Sequence, residues 1–210
     1  MKTPIFLGVA GSTLLIAAAN ADAQSDKWYL DANAGAAIQQ DVDIKNGGGK
    51  VVFDTGFRSG LSFGYNFNDS FSAGIETGVI GNSINSINGT SLSSVGSSAN
   101  IYEIPMLANV IYKIPTKSGF TPYFGVGLGG AATVLNSSNV PLGFPKSDTD
   151  FTFALEGSAG LKYALDKNME LGVAYEFLGT TDHSWSQGGV TFKTDGTMTH
   201  AIVATFTWKF

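Results

Sequence analysis

The chain has 210 residues, of which only 14% are charged, and a formal net charge of −5. Typical soluble domains carry about 25% charged residues. The chain has no cysteine, which excludes a disulfide framework and thiol chemistry. It has no basic cluster, which argues against nucleic acid as a partner. Glycine (27 residues) and aromatics (12%) are abundant, as strands and tight turns demand.

The N-terminus reads as a secretory leader. Lys2 supplies the positive region and Ile5 to Ala19 is an uncharged apolar run. Ala19-Asn20-Ala21 and Ala21-Asp22-Ala23 then provide small-residue cleavage sites. Cleavage is expected after Ala23, with Ala21 as the alternative. That divides the chain into a signal peptide, 1–23, and a single domain, 24–210. Beyond residue 24 no run approaches the roughly 18 apolar residues of a membrane-spanning helix. Residence in a membrane would therefore require a closed barrel, which leaves no backbone group unpaired in lipid.

Eight strand-like segments follow: 27–38, 53–66, 71–83, 99–114, 120–134, 150–165, 169–181 and 198–210. The first is rich in alanine. The second alternates cleanly, with Phe57, Leu61, Phe63 and Tyr65 on one parity and Arg58, Gly60, Ser62 and Gly64 on the other. The fourth contains Pro105, where a bulge or local unpairing is expected. The sixth, seventh and eighth repeat the alternation. The last sets Ile202, Ala204, Phe206, Trp208 and Phe210 against Ala201, Val203, Thr205, Thr207 and Lys209. Short connections (68–70, 115–119, 166–168) alternate with longer Gly/Ser/Asn-rich ones (39–52, 84–98, 135–149, 182–197). Such alternation matches a membrane barrel with short periplasmic turns and long outer loops.

Parity sorts the charges. All five Glu (Glu76, Glu103, Glu156, Glu170, Glu176) and the single Arg, Arg58, lie opposite the aromatics, as do Lys113, Lys162 and Lys209. A membrane barrel places its polar parity in the lumen and its apolar parity in lipid. Aromatics concentrate near strand ends (Trp28, Phe67, Phe71, Tyr112, Phe120, Tyr163, Trp208, Phe210), as an interfacial girdle would. The lumen of eight strands is narrow enough for side chains to fill. A charge network of Arg58, Glu76, Glu103, Glu156, Lys162 and Glu176 is therefore expected inside. Arg58 would pair with Glu76, Glu156 and Glu176, and Lys162 would act as a second cation.

The segment Thr121-Pro122-Tyr123-Phe124-Gly125-Val126-Gly127-Leu128-Gly129-Gly130 resembles a strand of the small outer-membrane β-barrel superfamily. So does Glu103-Ile104-Pro105-Met106-Leu107. That superfamily includes opacity-type surface proteins and OmpA-type barrels. The resemblance covers the chain after the leader and implies an all-β fold, an eight-stranded antiparallel up-and-down transmembrane β-barrel in the outer membrane. It also implies contact with outer-membrane lipid and lipopolysaccharide. The barrel-assembly machinery would read the terminal aromatics Phe206, Trp208 and Phe210. The expected role is structural or surface-binding, with an extracellular ligand met through four outer loops. A narrow channel for small solutes is the alternative, and a lipid-modifying enzyme is the third reading.

Other motifs carry less. Gly125-x-Gly127-x-Gly129 lies inside a strand rather than at a strand-to-helix turn, so dinucleotide binding fails. Asp41-x-Asp43-x-Lys45-Asn46-Gly47 has Lys where a calcium loop needs an oxygen ligand and lacks the closing Glu, leaving a solvated loop. Asn88-Gly89-Thr90 and Asn136-Ser137-Ser138 fit the glycosylation pattern but read as loops in an exported bacterial chain. The two histidines, His183 and His200, read as a loop residue and an interfacial residue. No catalytic residue, metal or cofactor is expected.

Overall fold

The computed structural model describes residues 27–45, 49–139, 147–187 and 190–210. The leader proposed for 1–23 lies outside them. Eight strands form the wall: β1 (Trp28–Gln39), β2 (Gly56–Asn66), β3 (Phe71–Ile87), β4 (Ser98–Lys113), β5 (Phe120–Ser138), β6 (Ser147–Ala164), β7 (Met169–Thr180) and β8 (Met198–Lys209). Each pairs antiparallel with its neighbour in sequence, and β1 pairs with β8 from Tyr29↔Lys209 to Gln39↔Thr199. That last ladder closes the sheet into an eight-stranded barrel and removes both edges.

Period-2 alternation decides which side chain goes where. Ile75 on β3 is 65% exposed and its neighbour Glu76 only 8%. Phe57, Phe124, Leu155 and Ile202 likewise point outward, while Arg58, Glu156 and Ala201 are buried. Long inward side chains need room beside their cross-strand partners on the neighbouring strand, and glycine supplies it. A Cβ at Gly64 would lie 2.4 Å from the Tyr29 ring, and one at Gly160 2.6 Å from the Tyr123 ring. Pro105 behaves as its missing N–H requires. The β3–β4 ladder runs to Thr77↔Met106 and resumes at Ile80↔Glu103 in the same register. Gly78 and Pro105 form a local unpairing without a bulge.

One rim is tight. Asn68 Oδ1 accepts from the Ser70 and Phe71 amides, and Asp166 Oδ1 from those of Asn168 and Met169. Both are side-chain-stabilised turns. An aromatic chain surrounds this rim: Phe67–Tyr65–Trp28–Phe63–Phe210–Trp208, with Phe71–Tyr112 and Phe120–Tyr163 further round.

The other rim departs from the expected open loops. β3, β5 and β6 have 17, 19 and 18 residues. At about 3.3 Å per residue these far exceed the apolar band of roughly 25 Å, even when tilted. β2 begins at Gly56 rather than 53. Lys50–Phe53 instead pairs with the outer part of β3, through Val51↔Ile87, Val52↔Ser86 and Phe53↔Ile84. Val42–Asp43 adds to it, and Asn88-Gly89, both at positive φ, forms the two-residue turn that returns Thr90 against Ile87. His183–Gln187 and Val190–Thr194 make a separate hairpin, bridged to Ile44 through Thr194. These pieces bury Ile44, Val51, Ile84, Leu92, Ile101, Leu135 and Trp185 in a second apolar core. Together they form a β-structured cap over the rim opposite the short turns.

Candidate functional site

The barrel positions two polar arrangements, one in the lumen and one under the cap. In the lumen, Arg58 Nη2 donates to Glu76 Oε1 at 3.0 Å and to Glu156 Oε2, and Arg58 Nε lies 2.5 Å from Glu176 Oε2. The four residues come from β2, β3, β6 and β7, so the contacts cross the barrel. Asn109 Nδ2 donates to Glu76 Oε2 at 3.0 Å, and Asn33 Nδ2 to Glu176 Oε1 at 3.2 Å. The guanidinium thus meets three carboxylates, two of them also held by amides.

The other two residues expected in the network stand apart. Lys162 pairs with Asp31 Oδ2 at 2.5 Å and Thr207 Oγ1 at 2.7 Å, and its ammonium lies 5.1 Å from the Tyr123 ring centre. Asp31, buried on β1, is the partner the sequence reading omitted. Glu103 accepts from Thr197 Oγ1 and from Thr199 Oγ1 at 3.4 Å, away from the guanidinium. Strand tilt explains this separation. Rows of cross-strand partners climb around a barrel, and the row of Arg58 runs through Ile80 and Glu103 to Thr133 and Asp150 at the outer rim. Above the ion cluster the lumen turns apolar, with Ala37, Ile80, Ala131, Ala154 and Leu178 packed together.

Under the cap a chain of polar contacts starts from Glu103. Thr197 Oγ1 lies 2.8 Å from Thr180 Oγ1, which is 3.1 Å from His183 Nε2, and His183 Nδ1 is 3.3 Å from Asp150 Oδ2. His183 is 1% exposed and stacks on Trp185 with ring centres 5.5 Å apart. It is therefore a cap-core residue on a short strand, not the loop residue that the sequence suggested. Burial pulls its pKa below the ordinary 6.5, opposed by the Asp150 carboxylate. His200 lies at the lipid-facing surface, between Tyr175 Oη (2.6 Å) and Gln40 Nε2 (2.8 Å).

Asp150–His183–Thr180 has the acid–imidazole–hydroxyl order of a hydrolase. Its surroundings do not suit that chemistry. Thr197 Oγ1 donates to Glu103, so Thr180 Oγ1 gives its proton to Thr197 Oγ1 rather than to His183, while accepting from the Thr197 amide at 2.9 Å. His183 Nε2 is left as a donor to Thr180 and not as its base. The adjoining cavity, walled by Val51, Ile84, Ile101, Leu135 and Trp185, has a volume of about 30 Å³, room for water but not for an acyl chain. The faint calcium pattern also disperses. Asp41 pairs with Lys50 at 2.8 Å, while Lys45 bridges Asp182 (2.5 Å) and Asp195 (2.8 Å). Hydrogen bonding to Lys45 holds the Asp182 carboxyl below its ordinary range.

A closed barrel with an apolar outer belt, an aromatic girdle at one rim and an ion-filled lumen defines an integral outer-membrane protein. The model of the outer membrane protein beta-barrel domain matches residues 7–210, and the chain belongs to that family, resident in the outer membrane of Gram-negative bacteria. No curated protein matches the sequence. Among solved structures, Neisserial surface protein A is similar, at 21% identity over 87% of this chain and 97% of that one, with a TM-score of 0.58. OprG from Pseudomonas aeruginosa shows 21% identity over 89% and 97%, TM-score 0.58. AlkL, solved in lipid bilayers, shows 14% identity over 91% and 94%, TM-score 0.55. At these identities the likeness concerns the fold.

Proposed function

We propose that this barrel is a non-enzymatic surface protein that acts through its extracellular cap rather than through an axial pore. The observation that carries this reading is the cluster of Arg58 with Glu76, Glu156 and Glu176, which crosses the lumen beneath an apolar plug. The saturated Thr180 hydroxyl and the sealed His183 support the absence of catalysis. In planar bilayers the purified barrel is expected to show no large, stable, porin-like conductance; such conductance would overturn the reading. A tag at Gly89, which has open space around it, should be labelled on intact cells, and tags at Asp69 or Asn168 should not. Lipopolysaccharide is the expected lipid partner of the outer rim. A leader at 1–23 would account for export and is tested by N-terminal sequencing of the mature protein. Phe206, Trp208 and Phe210 would serve as the assembly signal. Deletion of Phe210 is then expected to leave a protease-sensitive periplasmic chain, and normal outer-membrane levels would refute it.

A second reading rests on a different observation. The wall is unpaired at Gly78 and Pro105, just below the apolar plug, and the cap core is apolar. A narrow sideways path for small apolar solutes would use both features. Faster uptake of such a solute by cells carrying the protein, lost in Pro105→Ala, would favour it.

A further inference from the structure

Below the Arg58 cluster the lumen changes sign. Tyr29 and Tyr123, which also border the space beside Glu76 and Glu156, form a floor across it. Each ring lies over a glycine of the neighbouring strand, Gly64 and Gly160. Under this floor, at the rim of short turns, is a cavity of about 20 Å³ lined by Lys113, Lys162 and Lys209 and by one acid, Glu170. Lys162 is matched by Asp31, and Lys209 by Glu170. Lys113, at the end of β4, donates to Asn66 Oδ1 at 2.5 Å and makes no ion pair among the described residues. The mouth therefore holds one ammonium that no carboxylate offsets. A second, independent feature faces the same space. Tyr29 is 3% exposed, yet its hydroxyl, with Ser72 beside it in the cavity wall, has no hydrogen bond of ordinary length among the described residues. A buried donor left unpaired is costly. Beside a surplus cation, it points to an acceptor that carries negative charge.

We propose that this mouth binds one phosphate group. Ammonium groups act on phosphate as compact point charges, without the flat fork of a guanidinium. The cavity admits one oxygen-sized group. A phosphate oxygen would accept from the Tyr29 hydroxyl, with the rest of the group among the three lysines. The low-dielectric walls of the barrel strengthen that attraction. The same chemistry is offered by free phosphate and by the headgroup of a phospholipid lying at the level of the aromatic girdle. The site is at the opposite rim from the cap and does not depend on the cap's role. The reading proposed above enters only in calling this rim periplasmic.

The test is calorimetric titration of inorganic phosphate into the full chain refolded in a maltoside detergent, which carries no phosphate of its own. This readout is indifferent to which rim faces the periplasm. Saturable binding is expected, with a Kd of about 1 mM or tighter, and none with chloride at equal ionic strength. Lys113→Gln, which can still donate to Asn66, should weaken binding at least about tenfold. Tyr29→Phe keeps the ring over Gly64, removes only the hydroxyl and should weaken it about threefold or more. Lys27→Gln removes a lysine that stands over the Tyr65 ring outside the cavity and should change nothing. Should Lys113→Gln not fold, Tyr29→Phe decides alone. Repetition in phosphatidylglycerol nanodiscs separates the two sources. Titration retained there assigns the site to free phosphate, titration lost there assigns it to the lipid headgroup, and either supports the site. Absence of saturable phosphate binding in detergent overturns the proposal. An equal response to chloride overturns it as general charge attraction. Binding that neither Lys113→Gln nor Tyr29→Phe weakens overturns it by placing the anion elsewhere.

Discussion

Around Arg58 the barrel is filled by crossed ion pairs and amides; around Trp185 it is filled by valine, isoleucine and leucine. Both fillings use the same inward parity, and the outward parity stays apolar along the wall. What changes with height is the environment of the space being filled. The middle lumen lies within the membrane and cannot gain from further hydrophobic contrast with lipid, so its charges tie distant strands together by direct contact. The cap stands in water, where burial of apolar surface stabilises it directly. The lower region is therefore specified by pairing, and removal of one partner strands the others. The cap is specified by packing, and its losses should stay local.

The largest effect should follow from breaking the pairing. Arg58→Ala leaves three buried carboxylates without their cation and should cost about 3–5 kcal/mol, measured as a lower urea or thermal midpoint of the folded barrel. Unchanged stability would show that each carboxylate is satisfied by lumen water. The comparison sharpens if the cluster is removed whole. Arg58→Met combined with Glu76→Gln, Glu156→Gln and Glu176→Gln should recover most of the loss, because deleting a complete buried ion cluster can be nearly neutral.

Next in size is the packing test. Trp185→Ala should cost about 3 kcal/mol or more, but confined to the cap. Limited proteolysis should cut within 183–194 while the barrel's own midpoint moves little. A barrel that loses as much stability as with Arg58→Ala would mean that cap and wall unfold as one unit.

These two regions were unequally legible in the sequence. The eight strands, the inward parity of Arg58, Glu76, Glu156 and Glu176, and the unpairing at Pro105 followed from alternation and from proline's missing N–H. Depth was not legible to the same degree. Glu103 and Lys162 share the inward parity but sit above and below the cluster, because strand tilt lifts cross-strand rows by an amount that alternation does not encode. The cap was missed because its segments are rich in Gly, Ser and Asn, which resemble loops in bulk. The signal was present at finer grain: His183-Ser184-Trp185-Ser186-Gln187, Gly188-Gly189, then Val190-Thr191-Phe192 is alternation around a two-residue turn sequence. Val51 and Leu92, with Phe53 packed against that core, lie in segments of the same kind. The Asp150–His183–Thr180 chain could not have been found by spacing, since Asp150 reaches His183 only through the meeting of β6 and the outer hairpin.

The smallest expected effect separates the regions by pH. His183 is buried against Trp185, and its pKa is depressed from 6.5 by burial more than Asp150 restores it. The unfolded cap therefore binds the proton more readily than the folded one. His183 favours the folded cap fully above about pH 6.5, and that contribution fades as pH falls below it. The acidic groups nearest the ring, Asp150 directly and Asp182 beside it, pull the other way and keep the effect modest. Hydrogen exchange or proteolysis of residues 183–194 should accelerate between pH 7 and pH 5, with the barrel's midpoint nearly constant. His183→Gln, which can still bond Thr180 but cannot take the charge, should flatten the profile. His200→Gln should leave it intact, because His200 lies on the outer face between Tyr175 and Gln40. A cap that opens equally in all three proteins, or in none, would remove His183 as its titrating group and leave packing alone to account for the cap.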